Sequence, residues 1–160
     1  MAPHTKRLGL LLALSFALLP LAGSWAGGAK ANDKNAFYHG KVVPLADLLA
    51  KEKTKLDPDA ATTWMALQAD DSKIYPLIKD NGSRMFFKDA KLLNRPMRLT
   101  ARLVPNAQLL QVINVHSIVK GKLHEVYYWC DICTIKRHEA GICDCCGAPM
   151  EFREELWKGE

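Results

Sequence analysis

Five cysteines fall within seventeen residues near the end of this 160-residue chain, and the sequence has none elsewhere. Four of them form two Cys-x-x-Cys pairs that are separated by nine residues. Two residues between paired cysteines let both sulfurs reach one metal ion, and the nine-residue connection is long enough for a hairpin. The pattern therefore predicts a tetrahedral metal site with four thiolate ligands, Cys130, Cys133, Cys143 and Cys146.

Two other residues are alternative ligands, because Cys145 lies inside the second pair and His138 lies in the connection between the pairs. Gly147 directly follows the second pair and suits a tight turn that needs positive φ. Four thiolates favour zinc or iron, and a site whose four positions are all filled by protein is structural rather than hydrolytic. The sequence therefore predicts a structural zinc ion, with iron as the alternative.

The N-terminal segment, residues 1–31, has the pattern of a secretory signal peptide. Two basic residues precede an apolar run from Leu8 to Leu21, and small residues around Ala26 and Ala31 offer cleavage sites. The apolar run is shorter than the roughly 20 residues that a membrane-spanning helix needs. We therefore expect a periplasmic or secreted protein that has no membrane span after the signal is removed.

Export leaves disulfide bonding open as a competing interpretation, because oxidising compartments favour cysteine pairing. Five is an odd number, so full pairing would leave one thiol free. All five cysteines lie in one short segment, whereas a disulfide staple connects distant parts of a chain, and this clustering favours a metal. The Cys-x-x-Cys spacing also occurs in redox proteins, and thiolates bind copper, so a periplasmic thiol-redox or copper-handling role is a further alternative.

Charge and motifs narrow the remaining function classes. Signal removal takes away three of the 22 basic residues and none of the 17 acidic ones, which leaves a net charge of about +2. Nucleic-acid-binding domains are usually strongly basic, so nucleic acid is not an expected partner. The sequence has no Gly-x-Ser-x-Gly, phosphate-binding glycine loop or His-Glu-x-x-His motif. We therefore expect no enzymatic activity, and a partner that is an envelope protein or a small ligand.

Between the signal segment and the cysteines, short apolar segments and turn signals are typical of β-strands. The predicted strands cover residues 40–45, 64–69, 74–78, 97–103, 109–119 and 123–129. Short helices are predicted over residues 47–55 and 84–93. Arg98 and Arg102 share the polar face of one strand, which is either a solvated surface or a platform for a ligand.

The order of these elements resembles a small OB-type barrel, in which a helix is set between strands of a five-stranded barrel. The fold class that follows is mainly β: an OB-like antiparallel barrel over residues 36–122 with one or two short helices, and a C-terminal four-cysteine metal-binding hairpin over residues 123–155. The resemblance implies a scaffold for binding or interaction.

The segment from Trp129 to Gly147 resembles a zinc ribbon or a short rubredoxin-like module, in which two knuckles each supply two thiolates. It departs from that pattern because no glycine follows Cys133 and because Cys145 is additional. The whole chain is also similar to small secreted bacterial proteins of unknown function. The resemblance implies a zinc-binding hairpin or, alternatively, a rubredoxin-like iron module for electron transfer.

Overall fold

The structure is a computed structural model that describes residues 34–159. The predicted signal segment lies outside the described residues. The strands are β1 (Ala36–Pro44), β2 (Met65–Ala69), β3 (Ile74–Pro76), β4 (Pro96–Leu103), β5 (Leu110–Val119), β6 (Lys122–Cys130), β7 (Ile135–Arg137) and β8 (Glu151–Leu156). The helices are α1 (Leu45–Lys51), α2 (Pro58–Ala61), α3 (Met85–Lys88) and a 3-10 helix (Ala90–Leu92).

The strands form one antiparallel sheet in the order β3-β2-β1-β4-β5-β6-β7, and β8 pairs with the other edge of β6. The prediction of a mainly β fold is confirmed, but the sheet is open and the barrel is not closed. One parallel bridge, Leu77 to Leu110, joins the chain after β3 to the start of β5. β3 has only three residues and ends at Pro76, which has no N–H to donate, so a longer closing ladder does not form.

Among residues 34–159, the larger of two hydrophobic clusters covers one face of the sheet and extends into the cysteine segment. Strand β4 contributes Met97, Leu99 and Ala101, whose alternation with exposed or half-buried residues gives the sheet one apolar face. The same cluster of buried residues includes Cys130 and Cys143. The cysteine segment therefore shares its core with the sheet.

The helical segments differ from the prediction at their ends. The helix predicted over residues 84–93 is divided into α3 and the 3-10 helix, because Asp89 between them has an extended backbone and accepts a hydrogen bond from the Lys91 N–H at 2.9 Å. Sequence reasoning also missed α2, which begins at Pro58 directly after Asp57. Proline is favoured in the first turn of a helix, which explains why the short helix begins at Pro58.

Strand β5 contains an irregularity that changes which side chains face the core. Ala101 pairs with Val112 and the adjacent Thr100 pairs with Asn114, so Ile113 is an extra residue opposite that step. Before this bulge Val112 faces the core, and after it Val115 does so. Neither alternate set of residues in the strand is uniformly apolar, because the set that faces the core changes at the bulge.

The boundary predicted between residues 122 and 123 falls at the first residues of β6. This strand pairs with β5 through Lys122 to Glu125 and with β8 through His124 to Trp129. The sheet therefore runs without interruption across the boundary, and the division into two domains stays a prediction. None of the helices described between residues 34 and 159 has the length and apolar character needed to cross a membrane.

Candidate metal centre

The first cysteine pair is held by a tight turn at the end of β6. The Thr134 N–H donates to the Cys130 carbonyl oxygen at 2.8 Å, and the Cys133 N–H donates to the Cys130 sulfur at 3.4 Å. Thr134 has φ of 55°, in the left-handed region that a β-branched residue seldom adopts. The left-handed position that the rubredoxin-like pattern gives to glycine is therefore occupied here by Thr134.

The second pair repeats this geometry. The Gly147 N–H donates to the Cys143 carbonyl oxygen at 2.8 Å, and Gly147 has φ of 73°, as its position after the cysteines predicts. The Cys143 N–H also donates to the Ala148 carbonyl oxygen at 2.7 Å, which closes the turn from the other side. Both pairs thus use the same bond from the fourth residue after the first cysteine, and both turn the second sulfur back toward the first.

The two turns bring four sulfurs together. The sulfurs of Cys130, Cys133, Cys143 and Cys146 all lie within 4.8 Å of one another, and those of Cys130 and Cys146 are 3.5 Å apart. A tetrahedral zinc site with bonds of about 2.3 Å places its sulfurs roughly 3.8 Å apart. The four predicted ligands therefore form a cluster of a size that fits one metal ion.

Burial and hydrogen bonds differ between the two sides of the cluster. Cys130 and Cys143 are buried, with 0% and 2% of their surface exposed, whereas Cys146 is exposed. The backbone N–H groups of Cys146 and Cys145 donate to the Cys143 sulfur and lower the pKa of that thiol to about 7. Donors aimed at a sulfur stabilise its thiolate, which is the form that binds metal.

The two alternative ligands lie outside this group of four. Cys145 is an exposed thiol, and its hydrogen bond to Cys133 is the largest contribution to a raised pKa of the Cys133 thiol. His138 is half-buried, and burial lowers the pKa of its imidazole. Neither has a ligand atom among those that lie within 4.8 Å of one another.

The segment between the cysteine pairs is fastened to α3 by ion pairs. Glu139 accepts hydrogen bonds from Arg84 at 2.9 Å and from Lys88. These two hydrogen bonds lower the pKa of Glu139 to about 2. At the C-terminal end of α3, the Tyr128 hydroxyl donates to the Asp89 carboxylate at 2.6 Å. Sequence reasoning did not identify these two charged partners of the connection, since Arg84 and Lys88 both lie more than fifty residues away from Glu139.

We expect Glu139→Gln to lower the free energy of unfolding by about 1 kcal/mol at pH 7, the upper end for ion pairs near a surface. The folded-state pKa of about 2 lies below the ordinary 4.5, so the carboxylate stabilises the fold at pH above about 4.5. This stabilisation is lost as the pH falls toward 2. The difference between the two proteins, measured by urea unfolding at a series of pH values, should shrink over that interval.

The matched control is Asp71→Asn, because Asp71 pairs with Lys73 in a turn where both side chains are at least half exposed. This exchange should change the free energy of unfolding little. Comparing each variant with wild-type protein at the same pH removes the effect of metal release in acid, which both proteins share. If the difference in free energy of unfolding between Glu139→Gln and wild-type protein stayed constant down to pH 3, the stabilising role of the Glu139 carboxylate would be contradicted.

The two arginines considered as a ligand platform have different surroundings. Arg102 Nε donates to Gln111 at 2.7 Å, and the Gln111 side chain donates in turn to Asp80 at 2.8 Å. Arg98 instead lies against two aromatic rings, those of Phe37 and Trp157. The two side chains therefore do not form one shared platform.

Comparisons of this chain with models of protein families, with curated proteins and with solved structures found no match.

Proposed function

We propose that this chain is an exported zinc protein, in which a structural tetrathiolate zinc site fixes the C-terminal hairpin onto an OB-like scaffold that binds an envelope protein or a small ligand. The observation that carries the metal site is the convergence of four sulfurs from two similar turns. The zinc ion would be held by Cys130, Cys133, Cys143 and Cys146. When bound, it supplies four strong bonds that replace a larger hydrophobic core.

The preference for zinc rests on the donor set. Four thiolates leave no position for water on a tetrahedral ion, so the site suits a structural role rather than hydrolysis. The hairpin between Cys130 and Met150 contains one short strand and few apolar side chains, and small segments of this kind usually need a metal in order to fold.

The OB-like scaffold is supported by the order β3-β2-β1-β4-β5 and by the parallel bridge between Leu77 and Leu110. Helix α3 lies between β3 and β4 in the chain, where the resemblance places a helix. Export is supported by the sequence pattern of residues 1–31.

Elemental analysis with a thiol titration tests the proposal on the purified protein. We expect one zinc per chain and, under native conditions, one readily titrated thiol, that of Cys145. One iron per chain with a red colour would replace the zinc assignment by a rubredoxin-like electron-transfer site. Absence of metal together with a single free thiol in denaturant would mean two disulfides and would overturn the proposal.

A further inference from the structure

We propose that Arg98 and His116 form a binding site for an oxyanion, a carboxylate or a phosphate group, beneath the indole ring of Trp157. The proposal gives a ligand class to the scaffold of the proposed function, and in that respect rests on it. The site lies on β4 and β5, on the face of the sheet opposite the buried Met97 and Leu99, and contains none of the four metal-binding cysteines.

The bulge in β5 is what places the two side chains together. Arg98 on β4 is paired with His116 on β5, after the extra residue Ile113. If the pairing continued regularly from Ala101 and Val112 without a bulge, Val115 would stand opposite Arg98 and His116 would face the core. Bulges commonly re-aim a side chain next to a functional site. Here the bulge directs an imidazole to the face that carries the guanidinium group.

Both side chains have an enclosed nitrogen without a hydrogen-bond partner. His116 is only 4% exposed, and its Nδ1 has no partner. Arg98 Nε is also buried and has no partner, and no ion pair of Arg98 is found among residues 34–159. Buried polar groups are nearly always paired, so two neighbouring exceptions indicate a missing acceptor.

Two aromatic rings enclose these nitrogens. The Arg98 guanidinium carbon lies 4.6 Å from the ring centroids of both Phe37 and Trp157, and the His116 ring meets the Trp157 ring edge-on at 5.1 Å. The backbone N–H of Trp157 donates to the Leu123 carbonyl oxygen at 2.9 Å, which fixes the backbone there. Trp157 stands just after the end of β8 and is 37% exposed, and Phe37 is 62% exposed. Both rings therefore lie at the protein surface.

The chemistry of the enclosed groups selects an anion. The Nε edge of a guanidinium group donates two parallel hydrogen bonds to a carboxylate or phosphate. His116 is neutral at pH 7, because burial and the neighbouring Arg98 lower the pKa of its imidazole, and a neutral imidazole still donates one hydrogen bond. Glu125, which stands opposite His116 on β6, is already bonded to Lys136. The positive charge of Arg98 is therefore available to a ligand.

Another arginine on the same face provides an internal comparison. Arg153 lies over the Trp129 ring at 5.3 Å, but it also forms an ion pair with Asp131 at 2.5 Å. Arg153 thus has both an aromatic neighbour and a carboxylate, whereas Arg98 has aromatic neighbours but no carboxylate partner among residues 34–159. Arg153→Gln is accordingly a matched control for Arg98→Gln.

The test is a titration of the purified, metal-loaded protein with sodium phosphate and, separately, sodium acetate at constant ionic strength. The indole N–H signals of Trp64, Trp129 and Trp157 are followed by nuclear magnetic resonance. We expect a saturating shift of the Trp157 signal alone. Arg98→Gln should weaken binding at least tenfold, and Arg153→Gln should leave the affinity unchanged. Should Arg98→Gln fold poorly, Arg98→Lys keeps the charge but lacks the Nε edge, and should also weaken binding about tenfold.

The two anions distinguish the two sources of the ligand group. A shift with phosphate alone assigns a phosphate-bearing ligand, a shift with acetate alone assigns a carboxylate, and a shift with both assigns a general oxyanion site. Absence of a saturating Trp157 shift with either anion, or wild-type affinity in Arg98→Gln and Arg98→Lys, would overturn the inference. Metal content measured on the same samples separates this failure from a failure of the zinc proposal.

Discussion

Replacing Cys130 with serine should abolish metal binding, unfold residues 123–155 and lower the midpoint of thermal unfolding by about 10 °C or more. Zinc binding to small modules contributes about 10–16 kcal/mol of folding free energy, as much as the whole stability of many domains. Cys130 is also fully buried in the same core cluster as Phe86 and Leu99. We therefore expect the loss of metal to reach the sheet. Elemental analysis, thermal unfolding and hydrogen exchange measure the three effects.

Cys145→Ser is the matched control, because Cys145 is exposed and lies outside the group of four sulfurs. This variant should keep one metal per chain and the wild-type thermal midpoint, and should lose the readily titrated thiol. Full metal content in Cys130→Ser would show that another residue, such as Cys145 or His138, completes the site. Unchanged hydrogen exchange over residues 123–155 in a metal-free Cys130→Ser protein would show that the hairpin folds without metal.

Gly82→Ala should destabilise the protein by about 3 kcal/mol or more, an effect in the range of severe overpacking. A Cβ at Gly82 would lie 2.0 Å from the Val112 carbonyl oxygen, which belongs to the backbone of β5 next to the bulge. The strand is paired with β4, and in the turn Ser83 Oγ donates to the Ile78 carbonyl oxygen, so a shift of either segment would disturb hydrogen bonds. Urea unfolding of wild-type and variant proteins measures the difference.

Gly121→Ala separates this steric effect from backbone strain. Gly121 has φ of 75°, but a Cβ there would have no atom within 4 Å. The substitution should therefore cost only about 1 kcal/mol, the typical penalty for a side chain in left-handed backbone. Equal losses in Gly82→Ala and Gly121→Ala would mean that the close approach to β5 does not determine the stability of the turn.

The cluster of four cysteines was largely predictable because its information is local. The spacing within each Cys-x-x-Cys pair determines a turn of five residues, and Gly147 signals the positive φ that such a turn requires. Thr134 carries no such signal, so the equivalent position of the first turn emerged only from the backbone geometry. The mainly β class was likewise predictable from alternating strands such as β4.

The partners across the sheet were not predictable in the same way. Glu139 and Arg84 are 55 residues apart, and nothing in either local sequence indicates that they meet. The lack of barrel closure between β3 and β5 also depends on how strands that are distant in the chain assemble. Such contacts arise from the packing of the whole chain, and no short segment of the sequence specifies them.

The sequence by itself determined the four sulfurs, the turns that hold them and the strand-rich character of the chain, because each depends on residues close together in the chain. The tertiary structure alone decided which face of β5 is buried. The extra residue at Ile113 appears in the sequence only as an irregular apolar pattern, since its effect depends on the pairing of β5 with β4. That pairing also places Arg98 beside His116, although the two residues are eighteen positions apart in the chain. Trp157 contacts both side chains because β8, which precedes it, pairs with β6.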